Sequence, residues 1–568
     1  MPSILLDTPI GSFIRLFFIP AGLRYPEEEN LFRQKAGDPE WRPGFETVEK
    51  ATGVHPPPRT SQPRLFESAQ TVAKAEPSSS SPNGQQPSPE AANSGPGTNQ
   101  WDNLIIVDWY DDNDSSNPIH WPKRKKVVVY FIINYVALVI NMASAIYAPS
   151  QAEIQVAFGV SATVSSFGLG LFIVGYGVGP LLWSPLSEMP AVGRNIPYLA
   201  SMAVFISISI PTALANDIGS LLAFRFLQGF FGSPALSTGG ASLSDISEPH
   251  LRPYALYTWA VFSLAGPCIG NVMAGYTVPE LGWRWSLWEI LITTAPGLVL
   301  FMFLPETSAS NILHRRAQRL KALTGKDCYV ARPDVEMAQV TILNRFYRSL
   351  VVPWKINLLD PSIMFTSIYC GLIYAIYYSF FEFFPLVYGP VYSMSPGQTG
   401  LVLLCNPIAV VLAAIPYFAY IYYVINPTVQ AGRKISPERR LLPALCASVF
   451  IPAGIFLFGW TARPSVHWMV PTIGVGFATA GFATILQSIF VYIGLAYPQY
   501  AASLFGGNGF VKALVAFAGV CWSNPLYHGM GLSKGMSLLG ALCAICVSGI
   551  FMLYRWGEKL RSRSKFAT

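Results

Sequence analysis

Three of the ionisable residues in this chain lie inside long apolar segments, where a charge is costly and therefore indicates a function. Arg225 lies within LLAFRFLQGFFGS, Glu382 within YYSFFEFFPLVYG and Lys512 within GGNGFVKALVAF. A carboxylic acid surrounded by hydrocarbon can hold its proton near neutral pH and release it when water or a cationic molecule arrives. We therefore predict that Arg225 and Glu382 couple the movement of protons to another process.

Each of these residues also has a purely structural interpretation. Arg225 would be satisfied by backbone carbonyls and by Gln228, and Glu382 would reach the outer interface because it lies late in its segment. Lys512 would extend its long side chain to the inner membrane surface. We therefore assign Gln228 and Lys512 either a structural or a coupling role.

Aromatic and amide side chains in the second half of the chain are candidates for a binding cavity. Four aromatic residues share one face of a helix because they fall at positions i, i+3, i+4 and i+7. They are Tyr374, Tyr377, Tyr378 and Phe381. Such a stripe is typical of a packing or lipid-facing surface, but a site for flat apolar molecules would use the same residues. Amides at depth need either a neighbouring helix or a ligand as partner, and three are present: Asn406, Gln487 and Asn508.

The stretch WAVFSLAGPCIGNVMAGY, residues 259–276, carries no charge and spaces its small residues along one helical face. Gly266 and Gly270 lie four positions apart, and Gly275 follows further along. A face without side chains lets another helix approach closely, while Pro267 removes a backbone donor and bends the helix. The stretch is therefore either a tightly packed, kinked helix or a hinge between two moving halves.

The composition is that of a membrane protein. Hydrophobic residues make up 52% and charged residues 12% of the 568 positions, and the charged fraction is about half the average of soluble proteins. The net charge of +7 does not indicate nucleic acid, because the basic residues cluster at the ends of apolar segments. No ATP-binding GxxxxGKS/T motif occurs, and Cys543 and Cys546 lie mid-segment without a second pair. We expect no cofactor, no metal and no enzymatic activity.

Twelve apolar segments are long enough to cross a bilayer. The first six are 127–149, 164–184, 196–215, 218–242, 254–276 and 284–304. The second six are 360–386, 398–425, 441–461, 467–493, 500–525 and 533–554. Basic residues are numerous on the flanks that face one side, whereas the other side has only Arg284, Arg463 and Lys534. This asymmetry predicts a multi-pass protein with both termini in the cytoplasm.

The longest connection lies between segments six and seven, so the array divides into six plus six. We predict a cytoplasmic, largely disordered tail, an N-terminal six-helix bundle, a cytoplasmic central loop, a C-terminal six-helix bundle and a cytoplasmic C-terminal tail. Their bounds are 1–122, 123–304, 305–357, 358–554 and 555–568. The first tail is expected to be disordered because PSSSSPNGQQPSPEAANSGPG, residues 77–97, cannot bury a core. In the central loop, HRRAQRLK predicts a short amphipathic helix.

Several stretches resemble the major facilitator superfamily, and within it the fungal drug:proton antiporters with twelve spans. The resemblance covers about residues 100–568. LLAFRFLQGFFGS resembles the family's fourth-span motif, and LAGPCIGNVMAGY resembles its fifth-span antiporter motif, with Asn271 where a second proline is common. PLSEMPAVGRN resembles the loop between spans two and three, and with RYPEEE and VDWYDDNDSSNP it is closest to the azole- and benomyl-resistance branch.

The resemblance implies an all-α membrane protein with the major facilitator fold, in which two six-helix bundles rock about a central cavity. It implies that Arg225 takes part in proton coupling and that Glu188 and Arg194 help to latch the cytoplasmic side. The glycine face of span five would then be the sliding contact between the bundles.

The function expected from these features is proton-coupled export of lipophilic small molecules across the plasma membrane by a monomer. The substrate would be either a foreign drug or fungicide, or a toxin that the organism makes itself. A second class of function is uptake of a nutrient such as a vitamin, a polyamine or a sugar. A third is a non-transporting membrane sensor, which the long tail would suit.

Overall fold

A computed structural model describes residues 7–17, 25, 27, 104–338, 342–433, 436–497, 501–562 and 564. Within these ranges, eleven helices are long and apolar enough to cross a membrane. The fourth predicted segment forms the shorter helix Ile218–Gly232 followed by Pro234–Ser237 and Gly239–Ile246. Counted as one broken span, it makes the structure consistent with twelve spans. The predicted all-α membrane class is confirmed.

The spans are numbered from the amino terminus. Spans 1 to 3 comprise Lys123–Ala145 with Gln151–Phe158, Ala162–Val178 with Pro180–Ser187, and Asn195–Ala213. Span 4 is the broken span above, and spans 5 to 7 are Arg252–Leu281, Trp283–Met302 and Pro361–Tyr392. Span 8 comprises Pro396–Val402, Cys405–Tyr420, the π-helical turn Ile421–Ile425 and Asn426–Gln430. Spans 9 to 12 are Leu442–Ser448 with Phe450–Thr461, Met469–Ala496, Ala501–Met530 and Leu532–Arg561.

Packing within each set of six spans is extensive, and two pairs of spans join the sets. Span 1 packs on span 5 and span 2 on span 4, while span 7 packs on span 11 and span 9 on span 10. Between the sets, span 2 packs on span 11 and span 5 on span 8. Gly170 of span 2 faces the ring of Phe517, so the absence of a side chain allows this close approach. The two halves therefore meet along two seams.

A small unit outside the spans joins the tail to the central loop, and we call it the tail–loop unit. Strand β1, Ile105–Val107, pairs in parallel with strand β2, Tyr329–Ala331. Helix Ala309–Thr324 packs on the pair through Leu313 and other apolar side chains. This helix contains the predicted amphipathic HRRAQRLK stretch. Residues 104–122, the end of the tail that we predicted to be largely disordered, include strand β1. Residues 77–97 lie outside the described ranges.

The interior of the tail–loop unit holds a charged cluster around Arg316, whose side chain is fully buried. Its Nε atom lies 3.2 Å from Oε1 of Glu27, and Nη1 donates to Oδ2 of Asp114 at 2.8 Å. The guanidinium also lies 4.1 Å from the ring centroid of Tyr110. Burial opposes ionisation of Asp114, but the hydrogen bond and charge of Arg316 outweigh it and hold its pKa below the usual value. One arginine thus joins the tail to the central loop.

Replacing Arg316 by methionine should open the tail–loop unit. Removing one partner of a buried ion pair costs about 3–5 kcal/mol, because the other charge stays buried without compensation. Hydrogen–deuterium exchange of the purified protein should become faster in residues 105–107 and 329–331. Arg315→Met, at the neighbouring and less buried arginine, is the control. Unchanged protection of both strands in Arg316→Met would show that the arginine does not hold this unit together.

Candidate functional site

Arg225 of span 4 is fully buried and is held by backbone carbonyls. Its Nε donates to the carbonyl of Gly168 at 3.0 Å, Nη1 to that of Ala143 at 2.9 Å and Nη2 to that of Ser144 at 2.9 Å. The last carbonyls of a helix lack intrahelical partners, and the first helix of span 1 ends at Ala145. The guanidinium therefore caps the end of that helix.

Gln228 and two aromatic rings complete the surroundings of Arg225. Gln228 accepts a hydrogen bond from Nη1 at 3.1 Å and donates to Oγ of Ser209 at 2.9 Å. The rings of Phe172 and Tyr147 lie 4.6 and 5.2 Å from the guanidinium carbon. Among the residues that the structure describes, no carboxylate pairs with Arg225. This geometry agrees with the structural interpretation of Arg225 and leaves its coupling role as a proposal.

Glu382 of span 7 connects the two halves of the molecule. Its Oε1 accepts a hydrogen bond from Nε2 of Gln151 at 2.7 Å, and its Oε2 accepts one from Oγ of Ser166 at 3.1 Å. Both donors belong to the first half, in spans 1 and 2, and the glutamate is only 7% exposed. Glu382 therefore points between the halves.

A break in span 1, residues 146–151, lies between Arg225 and Glu382. Pro149 cannot donate a backbone hydrogen bond, and the chain forms a 3₁₀ turn there before the helix resumes at Gln151. Within the break, the ring of Tyr147 lies beside Arg225 and its hydroxyl donates to the carbonyl of Ser165 at 3.0 Å. Sequence reasoning missed Tyr147, Gln151 and Ser166. The signal that was available is Pro149 with Gln151 two positions later, at the end of an apolar segment.

The four aromatic residues of the stripe are buried, and two of them contact the first half of the molecule. Tyr377 donates to the carbonyl of Leu264 in span 5 at 3.0 Å, and the hydroxyl of Tyr378 lies 3.4 Å from Oγ of Ser144 in span 1. The ring of Tyr377 stacks on Phe482 with centroids 4.9 Å apart and planes at 8°. The stripe therefore does not face lipid. We call Tyr374, Tyr377, Tyr378, Phe381 and Phe482 the aromatic cluster.

The aromatic cluster leaves little space beside it in the second half. A cavity of about 10 Å³ lies beside Tyr377 and Phe482 and is lined by spans 7, 9 and 10, whereas sites for drug-sized molecules measure roughly 300–1,000 Å³. A ligand that enters this cavity must therefore displace these rings.

The three candidate amides are buried and bind protein partners. Asn406 of span 8 accepts from Oγ1 of Thr479 at 2.7 Å and contacts Sγ of Cys268 at 3.7 Å, beside the aromatic cluster. Asn508 donates to Oγ of Ser367 at 3.2 Å. Gln487 lies against Tyr417 of span 8. The structure thus brings Asn406 to the cluster and places Gln487 and Asn508 further along the same half.

The ammonium of Lys512 points at the aromatic cluster. Its Nζ lies 4.7 Å from the ring centroid of Tyr374 and 5.2 Å from that of Phe490. The side chain thus contacts rings of spans 7 and 10, and its structural or coupling role stays a prediction.

Arg194, in the loop between spans 2 and 3, has a partner that the loop motif did not indicate. Nη2 of Arg194 pairs with Oδ2 of Asp245 at the end of span 4, 2.8 Å away, and Glu188 is exposed. The backbone amides of Arg194 and Asn195 donate to the carboxylate of Glu306. The carboxylates of Asp245 and Glu306 were missed, since they are distant in sequence from the loop. Arg194 thus ties the loop to the end of span 4.

The glycine face of span 5 packs mainly within the first half. A Cβ at Gly270 would lie 2.9 Å from the carbonyl oxygen of Met142 in span 1, and Gly266 faces the same span. Gly275 contacts the other half instead, since a Cβ there would lie 2.7 Å from the carbonyl oxygen of Pro396 in span 8. Gly275 therefore contacts the other half, whereas Gly266 and Gly270 contact span 1, and the sliding contact stays a prediction.

Span 5 also carries residues that explain these contacts. The helix is continuous through Pro267, and Nδ2 of Asn271 donates to the carbonyl of Ala145 at 3.0 Å. Asn271 therefore caps the end of the first helix of span 1 beside Arg225. On span 8, a Cβ at Gly400 would lie 2.8 Å from the carbonyl oxygen of Asn271. The close approach of spans 5 and 8 thus depends on a glycine of each span, Gly275 and Gly400. The sequence analysis did not single out Gly400.

Comparison with protein families and with characterised proteins gives one consistent result. The family model described as Major Facilitator Superfamily matches residues 133–520. The MFS-type transporter pyvG of Aspergillus violaceofuscus is 46% identical over 464 residues, which cover 82% of this chain and 86% of that protein. Fluconazole resistance protein 1 of Saccharomyces cerevisiae is 34% identical over 466 residues, with coverage of 81% and 84%.

Solved structures of membrane transporters have a similar fold. The peptide transporter POT superposes with a TM-score of 0.56 at 11% sequence identity, over 79% of this chain and 98% of that one. At such low identity the likeness concerns the arrangement of the helices only.

Proposed function

The chain belongs to the major facilitator superfamily, and we propose that it is a proton-coupled exporter of lipophilic small molecules. The observation that carries this proposal is a buried carboxylate, Glu382, held by donors of the opposite half beside an aromatic cluster. A relative named for fluconazole resistance supports a drug-like substrate. We place the exporter in the plasma membrane as a monomer with both termini in the cytoplasm.

In this proposal the moving parts are two halves, residues 123–304 and 358–554. They rock against each other along the seams of spans 2 with 11 and 5 with 8. Gly275 and Gly400 lie in the second seam, where backbones approach closely. The tail 1–122, the loop 305–357 and the tail 555–568 stay on the cytoplasmic side, where Arg194 helps to close the loop between spans 2 and 3 through Asp245.

Glu382 couples protons to this motion through the different costs of burying its two forms. A neutral carboxyl is less costly to bury between the halves than a carboxylate. A proton taken up from outside onto Oε2 makes the carboxyl a donor to Oγ of Ser166, and the hydroxyl of Ser166 then donates to Oε1 of Gln151, 3.1 Å away. Because Gln151 still donates to Oε1 of Glu382, the neutral carboxyl favours the closed arrangement. When the proton leaves toward the cytoplasm, the buried carboxylate favours separation of the halves at this end. Each proton that enters from outside and leaves to the cytoplasm is thus linked to one opening of the halves toward the outside.

The break in span 1 carries this change to Arg225. Tyr147 lies beside the guanidinium, and Gln151 of the same break donates to Glu382. A movement of Gln151 therefore shifts the helix end that Arg225 caps. The substrate lies among the rings of the aromatic cluster once the halves part, with Asn406 as a nearby polar group. Stacking on flat rings favours flat apolar molecules.

The proposal is tested with inside-out vesicles that contain the protein and a lipophilic dye. An acidic vesicle interior should drive dye into the lumen, and a protonophore should stop it. Dye movement that is indifferent to the collapsed proton gradient would exclude proton coupling. Nutrient uptake, the second class of function, would instead appear as higher accumulation of a radiolabelled vitamin, polyamine or sugar in intact cells that express the protein.

A further inference from the structure

Lys512 places an unneutralised positive charge at the edge of the aromatic cluster. Its ammonium lies over Tyr374 of span 7 and Phe490 of span 10, at 4.7 and 5.2 Å from the ring centroids. Tyr374 in turn contacts Phe482, with ring centroids 5.9 Å apart. The positive charge therefore lies at the edge of the aromatic surface on which a flat molecule would stack.

The groups around this ammonium do not neutralise it. In the part of the chain that the structure describes, the neighbours of Lys512 on spans 7 and 10 are aromatic rings and the thiol of Cys370, and no carboxylate pairs with it. Glu382 lies eight positions beyond Tyr374 on span 7, or about 12 Å along a helix, and it is bound by Gln151 and Ser166. Lys512 therefore has only cation–π contacts for compensation.

Lys512 is partly buried, and its cation–π contacts compensate its charge only in part, since they contribute about 0.5–2 kcal/mol depending on exposure. Arg225, which is fully buried, is compensated differently, because three carbonyls and Gln228 accept its hydrogen bonds. Lys512 is thus the cation at which a ligand's negative charge would supply the missing partner.

We infer that Lys512 makes this exporter selective for lipophilic molecules that carry an acidic group, such as a carboxylate, a phenolate or an enolate, over lipophilic cations. This inference rests on the proposed export function and specifies its substrate class. The flat part of the molecule lies on the aromatic cluster and the anionic group lies at the ammonium. A lipophilic cation of the same shape meets Lys512 as a like charge, which suppresses its binding.

The inference is tested with two xanthene dyes of similar shape and opposite charge, fluorescein as the anion and rhodamine 6G as the cation. Export into inside-out vesicles is measured for each dye under the same pH gradient. The wild-type protein should export fluorescein faster than rhodamine 6G. Lys512→Met should reduce the ratio of the two rates by roughly tenfold, which corresponds to a loss of about 1.4 kcal/mol. Lys512→Arg should keep the ratio, because it retains the charge.

Two controls separate the possible outcomes. Lys534→Met, at the start of span 12, should leave the ratio unchanged. Fluorescence polarisation of the detergent-solubilised wild-type protein should show tighter binding of fluorescein than of rhodamine 6G, which tests the inference even if Lys512→Met does not fold. An equal ratio in wild type and Lys512→Met, or a preference of the wild type for rhodamine 6G, would overturn it. Absence of pH-driven export for both dyes, with fluorescein still bound more tightly, would instead count against the export function alone.

Discussion

Glu382→Gln is expected to reduce export driven by a pH gradient by roughly 10- to 100-fold. The amide has the shape of the protonated carboxyl and stays neutral, so the contact with Gln151 and Ser166 persists at every stage of the cycle. Hydrogen bonds to a charged group contribute about 1.5–3 kcal/mol, and in the variant this energy no longer changes when the proton arrives or leaves. If the same energy is lost from the barrier to opening, the export rate falls by roughly 10- to 100-fold. Dye accumulation in inside-out vesicles with an acidic lumen measures the effect.

Glu289→Gln provides the matched control for this variant. Glu289 is also a buried carboxyl of a spanning helix, but it belongs to span 6 of the first half. Its replacement should leave the response to the pH gradient close to that of the wild type. Wild-type export by Glu382→Gln, or equal losses in the two variants, would show that the carboxylate between the halves is not the coupling group.

Arg225→Lys is expected to lower both transport and stability. The planar guanidinium reaches the carbonyls of Gly168, Ala143 and Ser144 at once, whereas an ammonium is a point charge without that fixed fork geometry. Each buried carbonyl left without a donor costs about 1–3 kcal/mol, so the loss of two corresponds to about 2–6 kcal/mol. Thermal unfolding in detergent and pH-driven dye export are measured on the same preparation.

The two measurements separate the structural role of Arg225 from its coupling role. A fall in stability with export unchanged per folded molecule would leave Arg225 as a cap of span 1 only. A loss of export at unchanged stability would assign the coupling role to the guanidinium itself. Arg284→Lys is the control, since Arg284 donates to a single carbonyl, that of Ala215, at 3.1 Å. Wild-type behaviour of Arg225→Lys in both measurements would contradict both roles.

The fold was predictable from the sequence because it depends on length and periodicity. Apolar segments of sufficient length locate the spans, and the i, i+3, i+4, i+7 spacing places Tyr374 and Phe381 on one face without a structure. The family expected from the motifs is confirmed by the match over residues 133–520. Helix ends were less predictable, since span 5 continues to Leu281 beyond the apolar stretch that indicated it.

The partners of the candidate residues were not predictable, because they are remote in the chain. Glu382 and Gln151 are 231 positions apart, and no local pattern indicates that they meet. The glycine face of span 5 correctly indicated a close approach of helices, but not which helix approaches. That choice depends on how twelve helices pack together, and it distinguishes Gly270, which faces span 1, from Gly275, which faces span 8.

The pairing of β1 with β2 has a consequence for how strain is distributed when the halves move. Strand β1 precedes span 1 and β2 follows span 6, so the pair closes the first six spans into a ring of backbone that the chain enters and leaves at one place. Separating the two ends of the first bundle therefore requires breaking this pairing. After β2 the described helix Ile342–Leu359 packs on spans 2 and 11 before the chain enters span 7, so a pull on span 7 also acts on that packing.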